Sequence, residues 1–309
     1  MNSIFNFIKK VIRFILNKID ISLMGINGNK SVFYSLFDYY YSKNILKLKK
    51  NINLSQRQTE YKQKGYYKLP KSFDNFANVI SKKINLNSFK KTKMGHCINY
   101  KVSDEIIRNV QLFCNNDLSE YLDELAVYYK SNIFLANIRI SKIFNFDGED
   151  DDYANFYHRD NVRFTHFKIF IPLENVDEFS GPTHIISIDK TKQFIKKAKY
   201  KKRSKINTNL NDIEYKNIAD KGQATVCSTG QCFHKAGIPS KDNSRLQMTL
   251  SFVAYPKLYE ENKHLDYFHN KNLMVSTNYN VINYLAKSKE FIDMFKLFYD
   301  YKFFANKNF

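Results

Sequence analysis

Four segments of the chain are rich in β-branched and aromatic residues, and in the first of them polar and apolar side chains alternate. They span residues 133–144, 165–173, 224–228 and 246–255. A period of two is typical of strands with one buried face. Because the second half of the chain does not alternate strands with long helices, the pattern favours two antiparallel sheets, packed as a barrel or a sandwich. We therefore expect a mainly β fold with flanking helices.

Length and composition agree with one large domain that carries extensions. The chain has 309 residues and a mass of 36.7 kDa, and 43% of its residues are hydrophobic. This content can bury a sizeable core, and it excludes a disordered chain and a small disulfide-stapled one. We predict a basic, partly amphipathic helical extension over residues 1–60, the β domain over 61–257 with a basic insertion at 190–221, and a helical cap over 258–309.

The chain is strongly basic, with 49 Lys and Arg residues against 30 Asp and Glu residues and a net charge of +19. Such a charge permits binding to phosphates, nucleic acid or an anionic membrane surface. A general compositional bias accounts for the charge equally well, and no nucleic-acid-binding module is recognisable. We therefore expect no nucleic-acid partner.

The cysteines and the apolar segments indicate a cytoplasmic protein. The four cysteines are Cys97, Cys114, Cys227 and Cys232, and the closest two have four residues between them. This differs from the two-residue spacing of zinc knuckles and redox motifs, so we expect reduced, mostly buried thiols. No segment approaches the ~20 consecutive apolar residues of a membrane-spanning helix. The chain is therefore not expected to be an integral membrane protein.

Residues 1–20 have the pattern of a basic amphipathic helix. The apolar positions fall at helical spacing, and the basic residues Lys9, Lys10 and Arg13 lie on the opposite face. Two interpretations remain open. The apolar face either packs on the body of the protein or lies on the inner face of an anionic membrane, as a peripheral contact.

A His-x-Asp pair and a distant histidine form a candidate metal site. His158 and Asp160 are two residues apart, which on a strand directs both side chains to the same face. His234, which precedes a turn, is a candidate for the third ligand. Two histidines and one carboxylate with open coordination positions form the facial arrangement of non-haem Fe(II) oxygenases. Arg245, eleven residues after His234, offers a guanidinium fork for a carboxylate.

Residues 62–256 resemble the phytanoyl-CoA dioxygenase-like family of Fe(II)- and 2-oxoglutarate-dependent oxygenases. The resemblance rests on the opening Gly65-Tyr66-Tyr67-Lys68-Leu69-Pro70, on His158-x-Asp160, on the strand at 167–173, on Gly181-Pro182-Thr183-His184, and on His234, Gly237 and Arg245. It implies a double-stranded β-helix, which is a cupin-like jelly roll. It also implies that His158, Asp160 and His234 bind Fe(II), and that Arg245 binds the distal carboxylate of 2-oxoglutarate.

The implied reaction is hydroxylation of a C–H bond by O2, with release of succinate and CO2. The resemblance does not fix the substrate, which we expect to be a small molecule, a lipid or a carrier-linked compound. The alternative is a catalytically silent jelly-roll protein that binds anionic ligands or a membrane surface through its basic segments.

Three further residues are candidates for binding 2-oxoglutarate or substrate. Asn137 and Arg139 share one face of the first strand, and Lys168 alternates with apolar residues on the second. Each has an ordinary alternative: a solvent-facing or salt-bridged role for the first two, and a surface lysine for the third. His166 and His184 are not assigned to the metal.

The segment 190–205 contains nine basic residues and no acidic one. Such a run is either a solvated, mobile insertion or a lid over the site that clamps an anionic substrate.

Overall fold

A computed structural model of the chain describes residues 54–92, 95–129, 132–147, 155–160, 166–198 and 213–255. The predicted amphipathic helix at 1–20 and the predicted cap at 258–309 lie outside the described residues, as does the part of the basic insertion at 199–212. No helix in the described ranges combines the length and the apolar character that crossing a membrane requires.

Five helices are present in these ranges. They are α1 (Gln56–Lys64), α2 (Asp74–Lys83), α3 (Asp104–Asn115), α4 (Ser119–Tyr129) and α5 (Ile188–Ala198). The start of α1 is fixed by a capping box, in which the side chains of Ser55 and Gln58 each accept a hydrogen bond from the other residue's backbone N–H. Tyr61 of α1 is buried in the main core. The predicted boundary after residue 60 therefore falls inside a packed helix.

In the described part of the chain, ten strands form two antiparallel sheets. The strands are β1 (Tyr66–Ser72), β2 (Phe89–Lys91), β3 (Cys97–Tyr100), β4 (Asn132–Phe144), β5 (His166–Pro172), β6 (His184–Ile186), β7 (Glu214–Lys216), β8 (Gln223–Cys227), β9 (His234–Lys235) and β10 (Ser244–Tyr255). The large sheet has the order β1-β8-β5-β10-β4-β3-β2, and the small sheet has the order β7-β6-β9.

From β4 onwards the chain passes back and forth between the two sheets. After β4 in the large sheet, His158 forms a bridge with His234 beside the small sheet, and the chain then returns to β5. β6 and β7 lie in the small sheet, β8 in the large, β9 in the small and β10 in the large. This path is that of a double-stranded β-helix, a jelly-roll variant. The predicted mainly β fold with flanking helices is confirmed.

The main hydrophobic core lies on the helix-covered side of the large sheet. Ile138, Ile140, Met248 and Leu250 face this side and pack with apolar residues of the helices. Since successive residues of a strand point to opposite faces, the residues between them point towards the small sheet. Those on β4 and β10 are mostly polar: they include Ser141, Gln247, Thr249 and Ser251, all of them buried. The space between the sheets is therefore lined by polar side chains.

The basic segment 190–205 begins as part of α5. Thr191 and Ile195 of this helix are buried, and Ile195 packs with Ile186 of the small sheet and with Phe233, which precedes β9. Lys190 and Lys192 are exposed on the other side. The beginning of the basic segment thus covers the outer face of the small sheet.

Candidate metal centre

The backbone brings His158, Asp160 and His234 together at one side of the space between the sheets. The backbone N–H of His158 donates to the carbonyl of His234 at 3.0 Å, and the N–H of His234 donates to the carbonyl of His158 at 2.9 Å. The N–H of Asp160 donates to the carbonyl of Thr229 at 3.0 Å. One ligand atom from each of the three side chains lies within 4.8 Å of those of the others. This group could hold a metal ion.

The two imidazole rings are oriented by backbone carbonyls. Nδ1 of His158 lies 2.9 Å from the carbonyl oxygen of Phe156, and Nδ1 of His234 lies 3.1 Å from that of Cys232. Because a carbonyl oxygen only accepts hydrogen bonds, each Nδ1 carries a proton, and Nε2 is the ring nitrogen that is left to bind a metal ion. These Nε2 atoms lie 3.7 Å and 3.6 Å from Oδ1 of Asp160. Fixing the tautomer in this way is typical of metal-binding histidines.

The charges at the site favour a bound cation. Burial, followed by the influence of His158, lowers the pKa of His234 to about 4, so this imidazole is neutral at neutral pH. Burial alone would raise the pKa of Asp160, but Lys168 and His234 outweigh it, and the pKa lies well below its ordinary value. The ionised carboxylate of Asp160 thus faces the Nε2 atoms of both histidines, an arrangement that a metal ion between them would stabilise. The donor set of two nitrogens and one carboxylate fits Fe(II).

Lys168 contacts the candidate metal carboxylate directly. Its Nζ atom lies 2.5 Å from Oδ2 of Asp160, and the two side chains are only 18% and 15% exposed. Oδ1 faces the imidazoles, and Oδ2 faces the ammonium group. Lys168 therefore points into the space between the sheets, as one of the two sequence interpretations has it. Its contact is with a candidate metal ligand.

A cavity of about 110 Å³ extends from the three candidate ligands along the large sheet. Arg245 lines it and is only 2% exposed. Arg139 also lines the cavity and is exposed, whereas Asn137 is exposed and is not among the lining residues. Arg139 and Thr249 are paired in register, four residues along β10 from Arg245, which is a distance of about 13 Å along a strand. All three arginine and lysine candidates, Arg139, Lys168 and Arg245, therefore line the cavity, and the two arginines lie at separate places along it.

Sequence reasoning missed the polar side chains of β10 that line the cavity between Arg139 and Arg245. They are Gln247 and Thr249. The signal was present, because Arg245, Gln247, Thr249 and Ser251 alternate with apolar residues along β10. That strand was predicted from its apolar residues, and the polar half of its alternation was not interpreted.

The two histidines that were not assigned to the metal have other partners. Nδ1 of His166 lies 3.4 Å from the hydroxyl of Thr229. Nδ1 of His184 lies 2.9 Å from Oε2 of Glu214. Neither belongs to the group of candidate ligands found in the described residues.

No protein-family model matches the sequence, and no curated protein sequence is similar to it. Several solved structures have a similar chain path. One is the non-heme alpha ketoglutarate dependent epimerase SnoN from nogalamycin biosynthesis, at 12% identity and a TM-score of 0.47, with 64% of this chain and 82% of that chain covered.

Two others are EctD from S. alaskensis in its apoform and HygX from Streptomyces hygroscopicus with nickel and 2-oxoglutarate bound. For EctD the identity is 10% and the TM-score 0.49, with 75% of this chain and 90% of that chain covered. For HygX the identity is 11% and the TM-score 0.42, with 65% of this chain and 88% of that chain covered. At these values none of the three identifies the family or the substrate of this chain.

Proposed function

We propose that this protein is an Fe(II)- and 2-oxoglutarate-dependent oxygenase of the phytanoyl-CoA dioxygenase-like type, and that it hydroxylates its substrate. One observation carries the proposal: His158, Asp160 and His234 turn two imidazole Nε2 atoms and a carboxylate oxygen towards each other at a polar cavity. When bound, Fe(II) with 2-oxoglutarate and O2 supplies the oxidising chemistry, and succinate and CO2 are the by-products. The protein supplies orientation and a water-poor site.

In the proposed site, three side chains bind the metal and neighbouring groups orient these three side chains. Nε2 of His158, Nε2 of His234 and Oδ1 of Asp160 are the proposed ligand atoms. The carbonyls of Phe156 and Cys232 hold the rings in the required tautomer. Lys168 holds the second carboxylate oxygen of Asp160. We propose that the role of this lysine is to orient the carboxylate, in place of the co-substrate contact considered from the sequence.

Arg245 is the proposed partner of the distal carboxylate of 2-oxoglutarate. It lines the cavity from β10 and is almost fully buried. A buried guanidinium can bind both oxygens of a carboxylate through two parallel hydrogen bonds, and such pairs are stronger than neutral hydrogen bonds. Gln247, two residues after Arg245 on the same face of β10, also lines the cavity.

The charge of the cavity supports an anionic substrate. Arg139, Lys168 and Arg245 line it, and Asp160 is the one carboxylate among the described lining residues. We propose that Arg139, which is exposed and lies at a distance from Arg245, contacts an anionic group of a small-molecule, lipid or carrier-linked substrate. We assign no such contact to Asn137, because it does not line the cavity.

A reducing compartment such as the cytoplasm is part of the proposal. None of the four cysteines, which all lie in the described residues, is in a disulfide, and all four are buried. Disulfides form and persist in oxidising compartments, so cysteines outside disulfides support a reducing one.

The test is succinate release from 2-oxoglutarate, measured with anaerobically added Fe(II) and then O2. We expect turnover by the wild type, loss of turnover in His158→Ala, and a KM for 2-oxoglutarate raised about tenfold or more in Arg245→Ala, the loss of one charge-assisted contact. Lys71→Ala, a change in an exposed ion pair, is the control that leaves turnover intact. A wild type that binds neither Fe(II) nor 2-oxoglutarate would overturn the proposal in favour of the silent jelly-roll alternative.

A further inference from the structure

A buried carboxylate lies behind the two candidate histidines, away from the cavity. The side chain of Glu214 in β7 is 3% exposed, and its Oε2 atom lies 2.9 Å from Nδ1 of His184 and 3.9 Å from Nζ of Lys235. The same oxygen accepts a hydrogen bond from the hydroxyl of Tyr157. Side chains from β6, β7, β9 and the segment before His158 thus meet at one oxygen atom.

The register of the small sheet places this cluster on its outer face. His234 points into the cavity, so Lys235, the next residue of β9, points to the opposite face. His184 is paired in register with Lys235 and shares that face. His158 also lines the cavity, so Tyr157, the residue before it, points to the same outer face as Lys235. Each candidate metal histidine therefore has a sequence neighbour that contacts Glu214 on the outer side.

The side chain of Glu214 is shielded from water. Tyr157 packs with Ile186, Ile195 and Phe233 under α5. A buried carboxylate without hydrogen-bond donors is strongly unfavourable, so Glu214 depends on the donors around it. Burial alone would raise its pKa, but the hydrogen bonds from Tyr157 and His184 outweigh burial and keep it below the ordinary value. Glu214 is an anion at neutral pH.

The strand that carries His234 needs such support. β9 is two residues long, and strands this short are not stable by themselves. Among the described residues, the two backbone hydrogen bonds between His158 and His234 join the two histidine segments directly. Lys235 is further fixed by its position 4.6 Å above the ring of Tyr157.

We propose that Glu214 is a positioning residue for the metal centre: it ties Tyr157 and Lys235 together on the outer face of the small sheet and so fixes the relative placement of His158 and His234 on the inner face. This inference rests on the proposed metal site. Glu214 itself does not line the cavity.

The test is Co(II) binding to the full chain. The affinity is measured by calorimetry, and the geometry of the bound ion by its absorption spectrum. Glu214→Gln keeps the shape of the side chain and removes its charge. We expect its Co(II) affinity to fall about tenfold, the lower end of the effect of outer partners of metal ligands, and its bound Co(II) to have a shifted spectrum. Tyr157→Phe removes one donor to the same oxygen, and we expect a smaller change in the same direction.

The control is Glu178→Gln, the same substitution at an exposed glutamate, which should leave affinity and spectrum unchanged. If Glu214→Gln lowers the melting temperature but binds Co(II) with wild-type affinity and spectrum, Glu214 is only structural and the inference is wrong. If Glu214→Gln does not fold, Tyr157→Phe decides by the same two readouts. A wild type that binds no Co(II) overturns the proposed function itself, which is a different result.

Discussion

At the scale of single residues, the chemistry of the site depends on the different partners of the two carboxylate oxygens of Asp160. Oδ1 of Asp160 faces the Nε2 atoms of His158 and His234, and Oδ2 lies 2.5 Å from the ammonium group of Lys168. The lysine leaves one oxygen for a metal ion and compensates the charge of the other. Both side chains are mostly buried, so this ion pair is poorly screened by water.

Replacing Lys168 by methionine should therefore destabilise the metal-free protein. Asp160 would keep its charge and lose its partner, and an unsatisfied buried group costs about 1–3 kcal/mol. Urea unfolding in the presence of a chelator measures this loss. With Ni(II) added, the loss should shrink, because the metal ion compensates the carboxylate.

The matched control is Lys142→Met, which breaks a surface ion pair with Glu174 at 3.6 Å. Exposed pairs contribute about 0–1 kcal/mol. An equal loss of stability in the two variants, or a loss in Lys168→Met that does not depend on the metal, would contradict the role given to Lys168.

The neutral state of His234 makes stability depend on pH. Burial lowers its pKa from 6.5 to about 4 in the folded protein. Between these two pKa values the imidazole is protonated in the unfolded chain but not in the folded chain. The contribution of His234 to stability is therefore fully present above pH 6.5 and is lost as the pH drops towards 4. Each such group contributes a slope of up to about 1.4 kcal/mol per pH unit.

His234→Gln should flatten this slope in the metal-free protein, as measured by the urea midpoint at several pH values in a chelating buffer. Burial also lowers the pKa of His184. This histidine therefore also makes stability fall as the pH drops, and part of the slope should remain. A slope that His234→Gln leaves unchanged would show that His234 is not held neutral.

At the scale of elements, the turn after α1 touches the loop that leads to His234. Gly65 ends α1 with φ +82, and its carbonyl accepts a hydrogen bond from the backbone N–H of Ser228 at 2.7 Å. A Cβ atom on Gly65 would lie 2.5 Å from Sγ of Cys232 and 2.6 Å from Cγ1 of Ile188. Both the backbone conformation and the packing at this turn therefore require glycine.

Gly65→Ala should cost markedly more stability than Gly95→Ala. Gly95 has a similar φ of +78, but no described atom lies within 4 Å of where its Cβ would be. The second substitution carries the backbone cost of about 1 kcal/mol, and the first adds about 1–3 kcal/mol of overpacking. Denaturant unfolding of the two variants measures the difference, and equal losses would contradict the close packing described here.

Strand length explains why the sequence predicts β4, β5, β8 and β10 but not the three strands of the small sheet. β4, β5, β8 and β10 have five or more residues, so their composition and alternation can be recognised. β6, β7 and β9 have only two or three residues. Periodicity cannot appear in so few residues, and the hydrogen bonds that define these strands come from partners distant in the sequence.

At the scale of the whole molecule, the jelly roll brings together side chains that the sequence separates. His158, Asp160, His234 and Arg245 could be chosen from residue type, spacing and resemblance, and the structure places all four around one cavity. The contacts of Lys168 and Glu214 could not be predicted in this way. They depend on which strands are neighbours and on the register of the small sheet, which only the assembled fold defines.

An anaerobic calorimetric titration with Fe(II) shows whether this cavity holds one divalent metal ion. We expect the wild type to bind one ion per chain. We expect His158→Ala, folded as judged by circular dichroism, to bind at least about 100-fold more weakly, since it lacks one of three ligands. If the wild type binds no Fe(II), or if the two proteins bind it equally well, the three residues do not form a metal site.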